Sequence, residues 1–254
     1  MANNVSRRGA ARSLIVPGVL LLVVLAVLIS LGNWQMRRLS RKLALIDRVE
    51  SRLAADPAPP PGPQDWPGLK ADDIDYRQVR LTGTYLPGDL YVFTALGSPR
   101  GRYGGPGYWV MTPFQTTGGW IVFVNRGFVP QDLKALDARP GSGAPAGVVT
   151  LEGTIRHAET DGTSLEADPQ KNIWYRRDPA ELAEGADIPS DEVAPYTIDL
   201  NASMMPESGL PQPGETTVTF NNPHLGYALT WYGLAAAGLG VFIVFAVGRL
   251  RRPD

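Results

Sequence analysis

Two long apolar stretches lie near the two ends of the chain. Residues 14–31 are apolar except for Ser30, and with their flanks they reach the roughly 20 residues that span a bilayer. Residues 225–248 carry no charge and form a slightly longer stretch. We therefore predict transmembrane helices at 14–34 and 222–248. A cleaved signal peptide is the alternative for the first stretch, but its length and the poor cleavage site in residues 32–35 favour retention.

A second helical pattern follows the first apolar stretch. Apolar residues recur at spacings of three and four among Arg, Lys and Glu, and they are Leu39, Leu43, Ile46, Val49 and Leu53. This pattern predicts an amphipathic juxtamembrane helix at 35–55 that continues from the first span. The proline-rich residues that follow predict a stiff, extended linker at 56–70.

The middle of the chain is typical of short strands joined by tight turns. Patterning predicts seven strands, at 76–85, 90–93, 108–114, 120–124, 148–157, 196–200 and 216–220. The two strands beside residues 116–119 form a predicted hairpin, and 178–184 predicts a helical turn. We expect a β-rich extracytoplasmic domain at 71–221, built as an antiparallel sheet or an open barrel. The predicted fold class is a membrane α+β protein with one transmembrane helix on each side of this domain.

Composition narrows the functional classes. The 254 residues include 24 Lys and Arg against 25 Asp and Glu, so no general basic surface predicts nucleic-acid binding. The chain has no cysteine, which excludes disulfides, Cys-bound zinc, iron–sulfur clusters and thiol catalysis.

Charges beside the two apolar stretches predict the orientation in the membrane. Arginines precede the first stretch and follow the second: Arg7, Arg8, Arg12, Arg249, Arg251 and Arg252. By the positive-inside rule, the tails 1–13 and 249–254 are expected in the cytoplasm and the domain in the periplasm. A basic cluster on the other side of the first span, made of Arg37, Arg38, Arg41 and Lys42, argues for the opposite orientation. We give it less weight because the rule counts mostly in short loops.

The sequence contains no recognisable catalytic machinery. Its two histidines, His157 and His224, lie outside any GxSxG, HExxH or glycine-rich phosphate-loop motif. We predict that the protein is not an enzyme and has no catalytic residue. His157 ends a predicted strand, and we expect it to be an exposed turn residue.

His224 differs because it lies where the second apolar stretch begins. Asn222 suits the N-cap and Pro223 the first helical position, which puts His224 in the first turn, at the outer membrane surface. The positive end of the helix dipole disfavours a protonated ring there, so a neutral imidazole with a lone pair is expected. A neutral imidazole is the form that binds a metal or a haem iron.

The second helix has two faces of different character. At 100° per residue, His224 shares its face with Tyr227, Ala228, Trp231 and Ala235. The opposite face carries Gly226, Gly233, Ala237 and Gly240. We predict that the glycine face packs on the first helix, and that the His224 face stays open to a flat apolar ligand or a partner helix. The alternative is an interfacial aromatic belt with an incidental histidine.

Two charged features each allow two interpretations. The basic cluster either reaches lipid phosphates or neutralises the carboxylates of a ligand at the same membrane depth. Arg126, in a predicted turn, either contacts a ligand or pairs with a carboxylate inside the domain, such as Asp178 or Asp199. We favour the internal pair because a buried unpaired guanidinium is costly.

A set of motifs resembles the Surfeit locus protein 1 family, the cytochrome oxidase assembly factors. In chain order they are Trp34 and Gln35 with Arg38, Lys42, Leu43 and Ile46; GYWVMTPF at 107–114 running into VNRGFVP at 124–130; EGTIR at 152–156; NIWYRRD at 172–178; PYTID at 195–199; and NPHLGYALTWYGLA at 222–235. The resemblance covers nearly the whole chain apart from the termini and loops. Two positions depart from the family pattern: Gly226 replaces a larger polar residue, and Arg176 replaces an aromatic one.

The resemblance implies a role in maturing the haem–copper oxidase of the respiratory chain, by helping haem a reach the catalytic subunit. It implies that His224 is the haem ligand. We expect Tyr227 and Trp231 to supply apolar contact, and Arg37, Arg38, Arg41 and Lys42 to pair with the propionates. The expected partners are the oxidase catalytic subunit, the enzymes of haem a synthesis and the lipid bilayer.

The start of the chain bears on its location. No extension like a transit peptide precedes the first span, so we expect a bacterial inner membrane rather than a mitochondrion. Two other functions remain open. A scaffold that stabilises an oxidase intermediate without touching haem is the main alternative. An envelope enzyme acting on lipid or peptidoglycan is disfavoured by the missing catalytic motifs.

Overall fold

The computed structural model of the protein describes residues 14–159, 164–216 and 222–251. The helices are α1 (Ile15–Leu53), α2 (Ala71–Ile74), α3 (Pro179–Gly185) and α4 (His224–Arg251). The strands are β1 (Gln78–Tyr85), β2 (Leu90–Leu96), β3 (Gly105–Thr116), β4 (Ile121–Pro130), β5 (Val148–His157) and β6 (Val193–Leu200). The N-terminal tail, most of the strand predicted at 216–220 and the last three residues lie outside the described residues.

The chain divides into two compact units. The helical unit comprises Met1–Arg48 and Thr219–Asp254, and the β domain comprises Val49–Val218. Within the helical unit, α1 and α4 are both long and apolar enough to cross a membrane, and nearly all of each apolar stretch is exposed. These two helices indicate a membrane protein.

The first span and the juxtamembrane helix form one continuous helix of 39 residues, α1. It ends at Leu53, ahead of Pro57, because proline removes a backbone donor and disfavours helical geometry in the residue before it. Only part of the apolar stripe of this amphipathic helix is buried, since Val49 is 2% exposed whereas Leu43 is 51% exposed.

Five strands of the β domain close into a barrel. Its order is β1-β5-β6-β4-β3, and β3 pairs back with β1 through Gly83↔Thr116, Thr84↔Gln115 and Tyr85↔Phe114. A side chain at Gly83 would overlap the carbonyl oxygen of Gln115, so this closure requires glycine. A ring of five strands cannot alternate in direction throughout, and the parallel pair is β4 with β6. The result is a five-stranded Greek-key barrel, as in the OB-fold.

Two hydrophobic clusters lie on either side of the barrel wall. The interior is filled mainly by alternate residues of β1, β4, β5 and β6, including Val79, Val124, Ile155 and Tyr196. A second cluster packs α3 and Trp174 against β2, β3 and β4. The β3–β4 face, which in OB-folds binds ligands together with neighbouring loops, is therefore covered by the protein's own chain.

The proline-rich segment belongs to the β domain rather than hanging free of it. Ala58 bridges to Val79 of β1, and the hydroxyl of Tyr196 donates a hydrogen bond of 2.6 Å to the carbonyl of Pro61. Trp66 packs edge-on against Trp120 with ring centroids 5.8 Å apart. The segment is extended as its prolines require, and its apolar side chains pack onto the barrel.

The predicted fold class is confirmed: two apolar terminal helices flank a β-rich domain. The hairpin at residues 116–119 is also present, since the Thr116 amide donates to the Trp120 carbonyl at 2.9 Å. Of the two predicted arrangements, the strands form the barrel, and it is closed by the pairing of β1 with β3. It differs from the expectation in one detail, because its odd number of strands makes one pair parallel.

Candidate functional site

The two apolar helices pack as an antiparallel pair. Gly18 faces Phe242 near one end, and Gly32 faces Tyr232 near the other. A side chain at Gly32 would overlap the Tyr232 ring, so this glycine lets the helices approach closely. The Tyr232 hydroxyl donates a hydrogen bond of 2.8 Å to the Asn33 side-chain oxygen.

The packing face of α4 is opposite to the predicted one. Ala228 is fully buried and Ala235 is 7% exposed. The glycine face is open: a methyl group added at Gly226, Gly233 or Gly240 would meet no described neighbour within 4 Å beyond its own helix. The prediction was wrong because small alanines suffice for close packing, and the His224 side also offers hydrogen bonds across the interface.

His224 is the first residue of α4 and bonds directly to α1. Its Nδ1 lies 2.9 Å from the side-chain oxygen of Gln35. Gln35 is 9% exposed, and His224 is half-buried. The imidazole is therefore held against α1 through one ring nitrogen.

The same histidine lines a shallow depression in the helical unit. Among the described residues, this depression of about 300 Å³ is lined by Arg38, Arg41, Lys42, Leu45 and His224. Residues at spacings of three and four share a helix face, which brings the α1 residues together. We call this place the imidazole–cation depression.

The structure separates the other predicted site residues from this depression. Arg37 lies about 100° around α1 from Arg38, and its carbonyl accepts a hydrogen bond of 3.3 Å from Nε of Arg41. Tyr227 is 56% exposed and Trp231 is half-buried. Neither aromatic is among the described residues that line the depression.

Gln35 is the functional candidate that sequence reasoning missed. It follows Trp34 in the first of the motifs described above, whose pattern predicts no role for this side chain. Its place on the helix face of Leu39, Lys42 and Ile46 was a usable signal, because a buried polar side chain on a packing face needs a partner. Leu45, which lines the depression, carried no comparable signal.

Arg126 lies inside the β domain, as predicted, but with another partner. One guanidinium nitrogen is 3.5 Å from Oδ2 of Asp89, and the other donates to the carbonyl of Ser142 at 2.6 Å. Burial lowers the pKa of Arg126, and Asp89 offsets part of this effect. The carboxylates named in the prediction have other partners: Asp178 caps α3 at the Ala180 amide, and Asp199 pairs elsewhere.

A β-bulge lies at the Asn125–Arg126–Gly127 motif, where Asn125 contacts Asp199 and Arg126 contacts Asp89. Between Trp109 and Met111 of β3, β4 advances by three residues instead of two. Gly127 has φ +130°, and a side chain there would overlap the Gln212 backbone. The bulge turns neighbouring side chains to different partners.

Asp199 is the centre of a buried polar network in the β domain. Its carboxylate accepts hydrogen bonds from Asn125 at 3.0 Å, from Nη1 of Arg177 at 3.1 Å and from the Thr216 hydroxyl. Arg177 also pairs with Glu159. Burial alone would lower the pKa of Arg177, but the two carboxylates outweigh it and raise the pKa.

A second depression in the β domain is a weaker candidate. It measures about 370 Å³ and is bordered by Asp199, Gln78, Thr154 and Asn201, among others. The last three bond to one another, with Gln78 donating to Thr154 at 2.8 Å and Asn201 donating to Gln78 at 2.8 Å. These three residues and Asp199 therefore already have hydrogen-bond partners inside the domain.

His157, expected as an exposed turn residue, ends β5, and its side chain is 42% exposed. Its backbone amide donates to Oδ1 of Asp75 at 3.2 Å, while Nδ1 of the ring lies 3.4 Å from Oδ2 without a hydrogen bond. Asp75 also pairs with Arg156 at 3.3 Å. These contacts tie the end of β5 to the chain just before β1.

Comparisons with known proteins identify the relatives of this chain. A sequence profile of the SURF1 family matches residues 22–236. A SURF1-like protein of Monosiga brevicollis is 33% identical over 233 residues, covering 88% of this chain and 85% of that protein. Surfeit locus protein 1 of Homo sapiens is 36% identical over 230 residues, covering 85% of this chain and 73% of the human protein. The family profile spans Gln35, the basic cluster, the whole β domain and His224, and the chain belongs to the SURF1 family.

Proposed function

We propose that this protein is a non-enzymatic assembly factor for a haem–copper oxidase, and that it helps deliver haem a to the catalytic subunit. Membership of the SURF1 family supports the assembly role. The imidazole–cation depression supports the haem role. The observation that carries it is the convergence of His224 with Arg38, Arg41 and Lys42 at one place in the helical unit.

The residues of the depression fit the chemistry of a haem. A haem offers an iron that accepts an imidazole nitrogen and two propionates that accept cations. His224 would supply the axial nitrogen, and the three cations would pair with the propionates. When bound, haem a would supply an iron, two carboxylates and an apolar ring to this recognition, and the protein would act as a carrier.

The residues that would contact the apolar ring of the haem differ from the expected pair, Tyr227 and Trp231. Ala228 and Ala235 are buried in the helical unit and are therefore closed to a ligand. Tyr227 remains 56% exposed next to the His224 turn, and Leu45 adds an apolar side chain from α1. Tyr227 and Leu45, rather than Trp231, would then supply the apolar contact to the macrocycle.

We also propose a bacterial inner-membrane location with both termini in the cytoplasm and the β domain in the periplasm. The antiparallel contacts of α1 and α4 support a hairpin that crosses the membrane twice. Arg249 and Arg251 in the last turn of α4 match the arginines that precede α1, as the positive-inside rule requires for cytoplasmic ends.

The experiment uses a strain that lacks the gene. Membranes of this strain are assayed for oxidase-bound haem a after complementation with the wild type or with His224→Ala. We expect the wild type to restore the oxidase and the variant to restore little of it. Full restoration by His224→Ala, at equal protein level, would refute the ligand role.

A scaffold that never touches haem is the second candidate. The burial of Ala228 and Ala235 favours it, because it leaves less open apolar surface beside His224 than a haem pocket commonly has. A scaffold would bind the oxidase subunit equally well with or without haem a. Co-purification of the subunit from cells that cannot make haem a distinguishes the two functions.

A further inference from the structure

The hydrogen bond between Gln35 and His224 constrains which nitrogen of the imidazole is free. The atom of Gln35 that faces Nδ1 is the side-chain oxygen, at 2.9 Å. An amide oxygen can only accept a hydrogen bond. With this orientation of the amide, Nδ1 of the neutral ring carries the hydrogen and Nε2 keeps its lone pair.

We propose that Gln35 is the positioning residue that selects this tautomer and presents Nε2 of His224 for coordination. This inference rests on the proposed function, since it names the residue that prepares the ligand. Ligating histidines commonly donate their other N–H to an oxygen, which fixes the ring's orientation and makes the free nitrogen more basic. Gln35 supplies such an oxygen from the neighbouring helix.

The surroundings of Gln35 make the arrangement a fixed one. Gln35 is 9% exposed and lies about one helical turn from Gly32, where α1 and α4 approach closely. An unpaired amide at a buried helix interface is costly, and this cost favours the bond from Gln35 to His224. The hydrogen bond from Tyr232 to Asn33 joins the same two helices nearby but does not involve the histidine.

The Asn33–Tyr232 pair provides a matched control. Replacing Asn33 removes an interhelical hydrogen bond of similar length without changing the partner of His224. If Gln35 merely held the helices together, substitutions at positions 33 and 35 would have the same effect. A residue that sets the tautomer affects the imidazole only at position 35.

The first test is nitrogen NMR of the full-length protein in detergent, without haem and labelled with ¹⁵N-histidine. The chain has two histidines. The substitution His157→Gln, made in every sample, leaves His224 as the only source of histidine signals. We expect a protonated Nδ1 and an unprotonated Nε2 in the wild type and in Asn33→Leu. Gln35→Leu is expected to shift His224 toward the Nε2–H form.

Two results would overturn the proposal. One is a wild-type His224 with its hydrogen on Nε2. The other is a Gln35→Leu spectrum in which the tautomer is unchanged. Should Gln35→Leu fail to fold, the wild-type spectrum still tests the proposal, because a hydrogen on Nε2 would overturn it. The measurement contains no haem, so it stands even if the protein proves to be a scaffold.

The second test measures haem affinity by titrating haem into the same variants. Loss of an outer hydrogen bond to a ligating histidine typically weakens binding by about 10- to 100-fold. We expect such a loss in Gln35→Leu and near wild-type affinity in Asn33→Leu. Equal losses in both variants would make Gln35 a packing residue. Absence of binding by the wild type would refute the carrier function instead.

Discussion

Arg177 in the β5–β6 connection and Asp199 on β6 form a buried ion pair, with 3.1 Å between Nη1 and Oδ2. They come from two separate sequence motifs, NIWYRRD and PYTID, and Asn125 of a third motif bonds to the same carboxylate. The shared carboxylate explains why polar residues of three separate motifs are buried in the β domain: they join its strands and connections to one another.

Asp199→Asn is therefore expected to destabilise the β domain. Removing one partner of a buried pair leaves an uncompensated charge and typically costs about 3–5 kcal/mol. Since Glu159 still pairs with Arg177, we expect the lower end of that range. Denaturant unfolding of the full-length protein in detergent, followed by tryptophan fluorescence, measures the change.

The control for this prediction is Glu152→Gln, which breaks the Arg80–Glu152 pair. That pair has side chains 55% and 33% exposed, and exposed pairs contribute about 0–1 kcal/mol. Equal effects of the two variants would show that the Asp199 network contributes no more than a surface contact.

Gly127→Ala should disrupt the bulge in β4. The position combines φ +130° with close approach of the Gln212 backbone, so an added methyl group meets both strain and a clash. We expect a loss of at least about 2 kcal/mol in the free energy of unfolding. Gly97→Ala is the control because a side chain there meets nothing within 4 Å among described atoms. A Gly127→Ala protein as stable as Gly97→Ala would contradict the bulge geometry.

The packing face of α4 can be tested by cross-linking, because the natural chain has no cysteine. A side chain at Gly238 would lie 3.8 Å from Leu21, whereas one at Gly240 would point to an open surface. A Leu21→Cys/Gly238→Cys protein should form an intramolecular cross-link with an oxidant or a short bis-maleimide. Leu21→Cys/Gly240→Cys should form much less. A higher cross-linking yield for Leu21→Cys/Gly240→Cys would show that α4 packs through its glycine face.

Alkaline pH should weaken the fold through buried tyrosines. Burial raises the pKa of Tyr85 and Tyr196 above the ordinary value of 10.0. A raised pKa contributes stability below pH 10 and loses it above, because the unfolded chain ionises first. Each tyrosine then steepens the fall in the free energy of unfolding by up to about 1.4 kcal/mol per pH unit.

Tyr196→Phe should reduce that slope above pH 10. The variant also loses the hydrogen bond to Pro61, so its stability at neutral pH should fall by about 1 kcal/mol. Denaturant unfolding at several pH values, from about 8 to about 11.5, separates the loss of the hydrogen bond from the change in slope. An unchanged slope would mean that this hydroxyl is not buried in the folded protein.

Local signals were sufficient for most elements of the fold. β5 runs from Val148 to His157, as its alternation predicts, and α1 joins two helical patterns without a break. The hairpin turn before Trp120 follows from its glycines. Each of these depends on residues close together in the chain, where periodicity and turn chemistry decide.

Long-range partners could not be predicted in the same way. Arg126 was expected to pair with an internal carboxylate, but its partner Asp89 lies outside the predicted strands. Barrel closure depends on β1 meeting β3, and no local pattern encodes that pairing. The α4 packing face was mispredicted because alanine and glycine both permit close approach, and the choice between them depended on Gln35 and Asn33 of the other helix.

Binding of haem a by His224 is tested most directly by the visible spectrum of the purified protein. The protein is isolated from cells that make haem a, as wild type, His224→Ala and His157→Ala, and haem per protein is measured. We predict haem a in the wild type and in His157→Ala, and its loss in His224→Ala. Equal haem content in His224→Ala and the wild type would contradict the assignment of His224 as the ligand.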